Sequence, residues 1–151
     1  SQFKEKLKKI NPTAPVFEAL YSPRCLHNLV DQKEEDLVIL KGKELCIFSG
    51  IASPDSFKST VEKLGGKIKL VFEFLDHYPY RKSDLVNICA RCVEEKVSIL
   101  ITTEKDAVRL INFIKEIGKE FPSLNIFSLE VELELGRDKE FYERLSFIFN
   151  G

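Results

Sequence analysis

The chain has 151 residues, of which 44% are apolar, 31% charged and 11% aromatic, the profile of an ordinary globular domain and not of a fibre or a disordered tail. Lys and Arg total 23 against 24 Asp and Glu, a net charge of −1, so no strong field draws nucleic acid or an anionic membrane surface. No apolar run approaches the roughly 20 residues of a spanning helix, and the chain is expected to be soluble. It begins at Ser1 and contains no Met, which reads as a piece of a longer product.

The first 44 residues are the least patterned. Phe3, Leu7 and Ile10 among Lys4, Lys6, Lys8 and Lys9 predict an amphipathic helix, too short to be more than a solvated surface element, with contact to a membrane surface as its alternative. Ala14 to Leu20 reads as an extended segment after Pro12.

From Leu45 on, short apolar runs alternate with helical patterns, the signature of βα units around a mostly parallel sheet. Leu45 to Phe48 predicts a buried strand, and Ser49 to Ala52 a loop. A helix then starts with Ser53 as N-cap and Pro54 in its first turn. Phe57, Val61 and Leu64 form its inner stripe, and Gly65-Gly66 stops it. Ile68 to Phe74 is the second strand, followed by the loop Leu75-Asp76-His77-Tyr78-Pro79-Tyr80. Ser83 is the expected cap of a helix ending near Lys96.

Val97 to Ile101 is the third strand, apolar on both faces as a central parallel strand should be. Thr103 caps a long helix with Ala107, Leu110, Ile111, Ile114 and Ile117 facing inward. Leu124 to Leu135 is a fourth strand whose later half alternates apolar residues with Glu130, Glu132 and Glu134, a like-charged face expected of an edge strand. Arg137 to Phe149 closes the chain as an amphipathic helix. The fold class is therefore α/β, a mostly parallel sheet of four or more strands flanked by helices, with an antiparallel or edge strand near the C-terminus. No repeat or low-complexity linker interrupts residues 1–151, so a single domain is expected.

Cys25, Cys46, Cys89 and Cys92 suit a reducing compartment. Cys89-Ala90-Arg91-Cys92 is formally C-x-x-C, but a structural zinc needs two further ligands at comparable spacing. Leu85, Ile88, Cys89, Cys92 and Val93 recur at helical spacing, which puts both thiols on a buried face.

In parallel α/β sheets the functional loops follow the carboxyl ends of the strands. Here these are Ser49–Ser53, Asp76–Tyr80 and Thr102–Asp106. His77 is one of two histidines, and nothing in the spacing makes neighbouring Asp76 touch it. The stretch Thr103-Glu104-Lys105-Asp106 is an ordinary acidic helix start, except that Lys105 is a cation in a first turn, unfavourable unless an anion lies near. No G-x-x-x-x-G-K-[ST] loop is present, so the chain has no phosphate cradle of that kind.

Three ordered motifs make the sequence recognisable: Phe48-Ser49-Gly50-Ile51-Ala52-Ser53-Pro54-Asp55-Ser56-Phe57, then Phe74-Leu75-Asp76-His77-Tyr78-Pro79-Tyr80 with Asp84, then Ile101-Thr102-Thr103-Glu104-Lys105-Asp106-Ala107-Val108-Arg109-Leu110. Together they resemble the C-terminal half of the tetraacyldisaccharide 4'-kinases, from about Pro15 onward. The chain departs from that pattern at Leu75, where Pro is usual, and at Ala52, where many members have Gly. The resemblance implies a peripheral enzyme on the cytoplasmic face of the bacterial inner membrane. It would transfer the γ-phosphate of ATP, with Mg²⁺, to the 4'-hydroxyl of an acylated glucosamine disaccharide 1-phosphate in lipid A synthesis. It also implies that the P-loop and Mg²⁺ ligands belong to an N-terminal domain absent here, so that this domain is the chain's partner, no metal site is expected in the chain, and the chain alone is inactive. By the same resemblance His77 pairs with an aspartate of that domain and tunes it as base, while Asp76, Thr103, Glu104, Lys105 and Asp106 are substrate- or nucleotide-proximal candidates. The alternatives are a phosphopeptide-binding BRCT-like module, suggested by Leu64-Gly65-Gly66-Lys67 after an amphipathic helix but lacking the expected tryptophan, and an unrelated α/β binding domain.

Overall fold

The computed structural model describes residues 2–13 and 19–135, together with Glu143 and Ser146. Two compact units divide the chain, one of Ser1–Ser22 with Glu132–Gly151 and one of Pro23–Val131. In the first, α1 (Gln2–Ile10) carries Glu5 in its first turn and Lys8 and Lys9 in its last, the charge placement a helix dipole favours. Leu7 is half-buried and Ile10 is 82% exposed, so the expected apolar face is not covered at its Ile10 end. Asn11 accepts the Thr13 hydroxyl at 3.0 Å just past the helix. Most of the expected helix from Arg137 to Phe149 and most of the Ala14 to Leu20 segment lie outside the described residues.

Further along, the elements run β1 (Ala19–Asn28), β2 (Glu34–Glu35), a 3-10 turn at Leu37–Leu40, β3 (Glu44–Ser49), α2 (Pro54–Lys63), β4 (Lys67–Glu73), α3 (Lys82–Glu94), β5 (Ile99–Thr103), α4 (Glu104–Leu110), α5 (Ile114–Glu120) and β6 (Asn125–Leu135). They form a six-stranded sheet in the order β2-β1-β6-β5-β3-β4. Strands β4, β3, β5 and β6 run parallel, with Ile47 opposite Ile101 and Ile101 opposite Phe127, whereas β1 and β2 pair antiparallel. The α/β class and the mostly parallel sheet are as the sequence predicts.

Alternation along the strands separates two cores. Cys46, Phe48, Leu100 and Ile126 face one side, packed with Leu85, Ile88, Cys89 and Cys92 of α3 and Leu110, Ile114 and Ile117 of α4 and α5. Leu45, Ile47, Ile99, Ile101, Phe127 and Leu129 face the other, against Phe57 and Val61 of α2 and against Leu26 and Leu40. Both faces of the central strands are thus dry, as parallel sheets require. All four cysteines are buried and free. Burial pushes the Cys89 thiol up to about 12.

Several local expectations need correction. The strand β6 is not an edge: it lies between β5 and β1, and the edges are β2 and β4. Its Glu row begins where pairing with β5 stops, at Thr103 opposite Leu129. The β4 edge is instead blunted by Lys69, whose ammonium donates to the Glu95 carbonyl at 2.8 Å. The expected long helix after Thr103 is two helices with a turn at residues 111–113, and Ile111 in that turn is 70% exposed. Ser83 is not the cap; α3 begins two residues earlier than that cap implies, with Arg81 as N-cap, and Asp84 accepts the Arg81 N–H at 2.8 Å. Ser53 stands at the N-cap of α2 without a side-chain bond to it. The third strand starts at Ile99, two residues later than expected. Gly65, at φ +89, ends α2 as predicted.

Candidate functional site

Strand order brings the three loops together. Because β5, β3 and β4 are neighbours and parallel, their carboxyl ends open side by side, and the segments after Ser49, Glu73 and Thr103 meet there. Thr102, fully buried, donates its hydroxyl to the Phe48 carbonyl at 2.9 Å and ties β5 to β3 at this end.

Asp106 is the hub. Its carboxylate is 0% exposed and accepts the Gly50 N–H at 3.1 Å, the Thr103 hydroxyl at 2.8 Å and an Arg109 guanidinium N–H at 3.1 Å. Its own N–H donates to Thr103 Oγ1 at 3.2 Å, so Thr103 caps α4 as expected and closes a reciprocal pair. A buried carboxylate surrounded by three donors is well satisfied. Asp106 therefore has no free acceptor face for a ligand, and its role is to hold the loop after β3 against the start of α4.

Arg109 follows one helical turn later, on the same face as Asp106. Besides its ion pair it donates Nη1 to the Gly50 carbonyl at 3.3 Å and brings Nη2 to 3.0 Å from His77 Nδ1. The His77 side chain is 80% exposed. Its backbone sits in the left-handed region at φ +60, a conformation that costs a non-glycine residue about 1–3 kcal/mol and persists only where its surroundings hold it. They do: its N–H donates to the Gly50 carbonyl at 3.1 Å, and Phe74 N–H donates to the Ser49 carbonyl at 2.9 Å. Beneath the loop, the rings of Phe74, Tyr78 and Tyr80 stand 4.7–5.3 Å apart, and Tyr80 meets Phe48 edge-on at 5.7 Å. These are ordinary spacings for attractive aromatic pairs.

Gly50 lies at the crossing point. A Cβ there would stand 3.0 Å from the Tyr80 hydroxyl, 3.1 Å from the Leu75 carbonyl oxygen and 3.2 Å from Tyr78 Cβ. Only glycine lets the two loops approach this closely. The Tyr80 hydroxyl is buried with no hydrogen-bond partner among the described residues. Burial, and then the Asp106 carboxylate, push its phenol above the ordinary tyrosine range.

The six residues singled out in the sequence separate here. His77, Asp76, Thr103 and Asp106 gather at one end of β3 and β5, with Asp76 Oδ2 at 3.7 Å from His77 Nε2. That gap is beyond hydrogen-bond distance. Glu104 points elsewhere: it accepts the Val131 N–H at 2.6 Å. Burial raises its carboxyl above the usual range, the Val131 bond opposes this, and Glu130 adds to it. Lys105 is exposed and makes no hydrogen bond or ion pair among the described residues. Sequence reasoning missed Arg109 as a site residue, although its spacing of three from Asp106 is the signal that could have marked it. Among the described residues no group of three or more His, Cys, Asp or Glu side chains is arranged to hold a metal ion. None of the described helices is long and apolar enough to cross a membrane.

Comparison with known proteins gives a consistent result. The profile of the family described as "LpxK: Tetraacyldisaccharide-1-P 4'-kinase" matches residues 1–150. A tetraacyldisaccharide 4'-kinase of Halothermothrix orenii is 30% identical over 145 residues, covering 89% of this chain and 37% of that protein. One from Syntrophus aciditrophicus is 35% identical over 98 residues, covering 65% of this chain and 26% of that protein. The crystal structure of the "apo" form of LpxK from Aquifex aeolicus in complex with ATP superposes with a TM-score of 0.58 at 26% identity, over 94% of this chain and 40% of that one. The chain spans about a third of the length of the curated relatives it matches.

Proposed function

The chain belongs to the tetraacyldisaccharide-1-P 4'-kinase family, and from that premise we propose that it is the C-terminal α/β domain of such a kinase. The whole enzyme would transfer the γ-phosphate of ATP to the 4'-hydroxyl of an acylated glucosamine disaccharide 1-phosphate at the cytoplasmic face of the inner membrane. The described residues at these loops do not fit an Mg²⁺–ATP site. The guanidinium nearest the loops is already bonded to Asp106, Gly50 and His77, the carboxylate beside it is enclosed by donors, and the sequence has no P-loop. ATP and Mg²⁺ are accordingly assigned to an N-terminal P-loop domain of the same polypeptide, and the 151-residue chain alone is inactive.

The observation that carries this reading is the presentation of His77. Its ring is exposed at the carboxyl end of the sheet while its backbone and Nδ1 are held from beneath. A group built this way is suited to meet a carboxylate of another domain and to orient it toward the sugar hydroxyl. Asp76, next to it, is the second side chain at that opening. Glu104 is engaged by the Val131 N–H and we give it no part in the transfer, while Lys105, exposed beside it, is given no role.

The test is steady-state kinetics of the complete kinase with His77→Ala. We expect kcat to fall roughly 10²–10⁴-fold, the usual share of acid–base assistance, with the KM for ATP little changed. A kcat within about threefold of wild type, or ATP-dependent transfer by the 151-residue chain alone, would refute the assignment.

A further inference from the structure

We infer that Arg109 is a positioning residue for this reaction: it fixes the His77 ring with Nδ1 turned inward as a hydrogen-bond acceptor and the Nε2–H turned outward toward the opening between domains. The inference rests on the proposed role of His77 and adds what holds that residue ready.

A guanidinium has five N–H donors and no acceptor. At 3.0 Å from Arg109 Nη2, His77 Nδ1 can only accept, so the ring proton of the neutral imidazole resides on Nε2. On the Nε2 side the nearest described carboxylate, Asp76, is 3.7 Å away, too far to capture that proton. The ring is thereby left with one exposed donor and, among the described residues, no acceptor within hydrogen-bond distance of it. For a histidine whose task is to hydrogen-bond a carboxylate, this is the tautomer that task requires.

The clamp is itself anchored. Nη1 of Arg109 is held by Asp106 at 3.1 Å and by the Gly50 carbonyl at 3.3 Å, and only 23% of the Arg109 side chain is exposed. That same Gly50 carbonyl receives the His77 N–H. Ring and backbone of His77 are thus referenced to one carbonyl, and Asp106 holds the same residue from the preceding peptide group through the Gly50 N–H. A lysine at position 109 would keep the charge but lose the planar fork that spans Asp106, Gly50 and His77 at once.

Two measurements test this. First, long-range ¹H–¹⁵N correlation of histidine-labelled chain at about pH 8.5, roughly two units above the ordinary histidine range, reads the tautomer of each ring. The chain has only His27 and His77, so a His27→Gln variant assigns the signals. We expect His77 with Nδ1 unprotonated and Nε2 protonated as a single species, and greater ring mobility with a shifted Nδ1 resonance in Arg109→Met. A wild-type ring protonated at Nδ1 overturns the inference with no variant needed. Second, a double-mutant cycle in the complete kinase asks whether Arg109 acts through His77. We expect Arg109→Met to lower kcat roughly 10- to 100-fold, the loss seen when metal-bound histidines lose an outer hydrogen-bond partner, with the KM for ATP unchanged and partial rescue by Arg109→Lys. In a His77→Ala background the same substitution should cost nothing further. Equal losses in both backgrounds would assign Arg109 a purely structural role. If His77→Ala were itself harmless, the catalytic reading of His77 would fail, while the ring spectra would still decide whether Arg109 orients it.

Discussion

Replacing Asp106 by Asn perturbs the hub while leaving its size almost unchanged. The carboxylate accepts from the Gly50 N–H, the Thr103 hydroxyl and Arg109 Nη1, all within 2.8–3.1 Å and with no exposure to water. An Asn side chain offers one oxygen and one NH₂. If the oxygen stays with Arg109, the NH₂ is aimed at the Gly50 N–H; if it turns round, the NH₂ meets the guanidinium. Either way one donor is orphaned, at about 1–3 kcal/mol, and the surviving bonds lose their charge-assisted part, another 1–2 kcal/mol or so. The total of about 3–4 kcal/mol lies at the lower end of the range for breaking a buried ion pair, which suits a pair whose Arg is partly exposed. For a chain of this length that corresponds to a fall in Tm of about 10 °C. Circular dichroism melts of wild type and Asp106→Asn at one concentration and pH measure it. A Tm within about 3 °C of wild type would show that the three hydrogen bonds do not hold the loops, and with them the account of how His77 is placed would fall.

Three further outcomes are expected. Gly50→Ala should lose about 1–3 kcal/mol in urea unfolding, the usual cost of overpacking, because the new methyl meets the Leu75 carbonyl and the Tyr80 hydroxyl at about 3 Å; unchanged stability would mean that the two loops are not in the contact described. The four buried thiols should react with an aromatic disulfide reagent only as fast as the chain unfolds, and rapid labelling of Cys89 and Cys92 in native buffer, or stoichiometric zinc in a metal assay, would overturn their structural assignment. Glu104→Gln should stabilise the chain at neutral pH. The folded-state pKa of Glu104 is raised, so its contribution is greatest below the ordinary carboxylate range and is lost as pH rises through the raised value. The amide keeps an oxygen for the Val131 N–H without the charge beside Glu130. The advantage of the variant should shrink on acidification, and denaturation curves in which it grows instead would refute the sign.

The parts of this fold that the sequence displays are those where one local rule decides the outcome. Strand β3 is legible because Leu45 to Phe48 must be dry on both faces, and α2 because Pro54, Phe57, Val61 and Gly65 each signal the same element. Strand β1 is not, since Pro23, Arg24 and His27 interrupt any apolar period. The break between α4 and α5 is equally hidden: Leu110, Ile111, Ile114 and Ile117 continue a helical stripe straight across the turn, and only the exposure of Ile111 shows that it left the core. The Glu row of β6 illustrates a different limit. Residues Ile126 to Leu129 are buried, as in a central strand, and the alternation starts only once β6 has outrun β5. A strand that extends past its neighbour and a strand at a sheet edge write the same pattern. Of the site, the three loops are legible from strand order, and the role proposed for His77 comes from the family resemblance, whereas the contact between Asp106 and Gly50, 56 positions apart, has no local signature.

The helix start at Thr103 to Arg109 then acquires a physical meaning that its residue types did not suggest. Successive helical side chains are turned by about 100°, so neighbours in this stretch cannot share a task. Glu104 reaches sideways to the Val131 N–H of β6, Lys105 stands out into solvent, and Asp106 turns inward to the Gly50 N–H beyond β3. One turn later Arg109 returns over Asp106 and reaches His77 in the loop after β4. Strand β5, from which α4 springs, lies between β6 and β3. A single short helix start is therefore bonded to the strand on one side of β5 and to two successive loops on the other. Of the acidic and basic residues that look like a reactive cluster in the sequence, Glu104, Asp106 and Arg109 tie α4 to β6 and to the loops after β3 and β4, while His77 and Asp76 keep exposed side chains at the opening beside them.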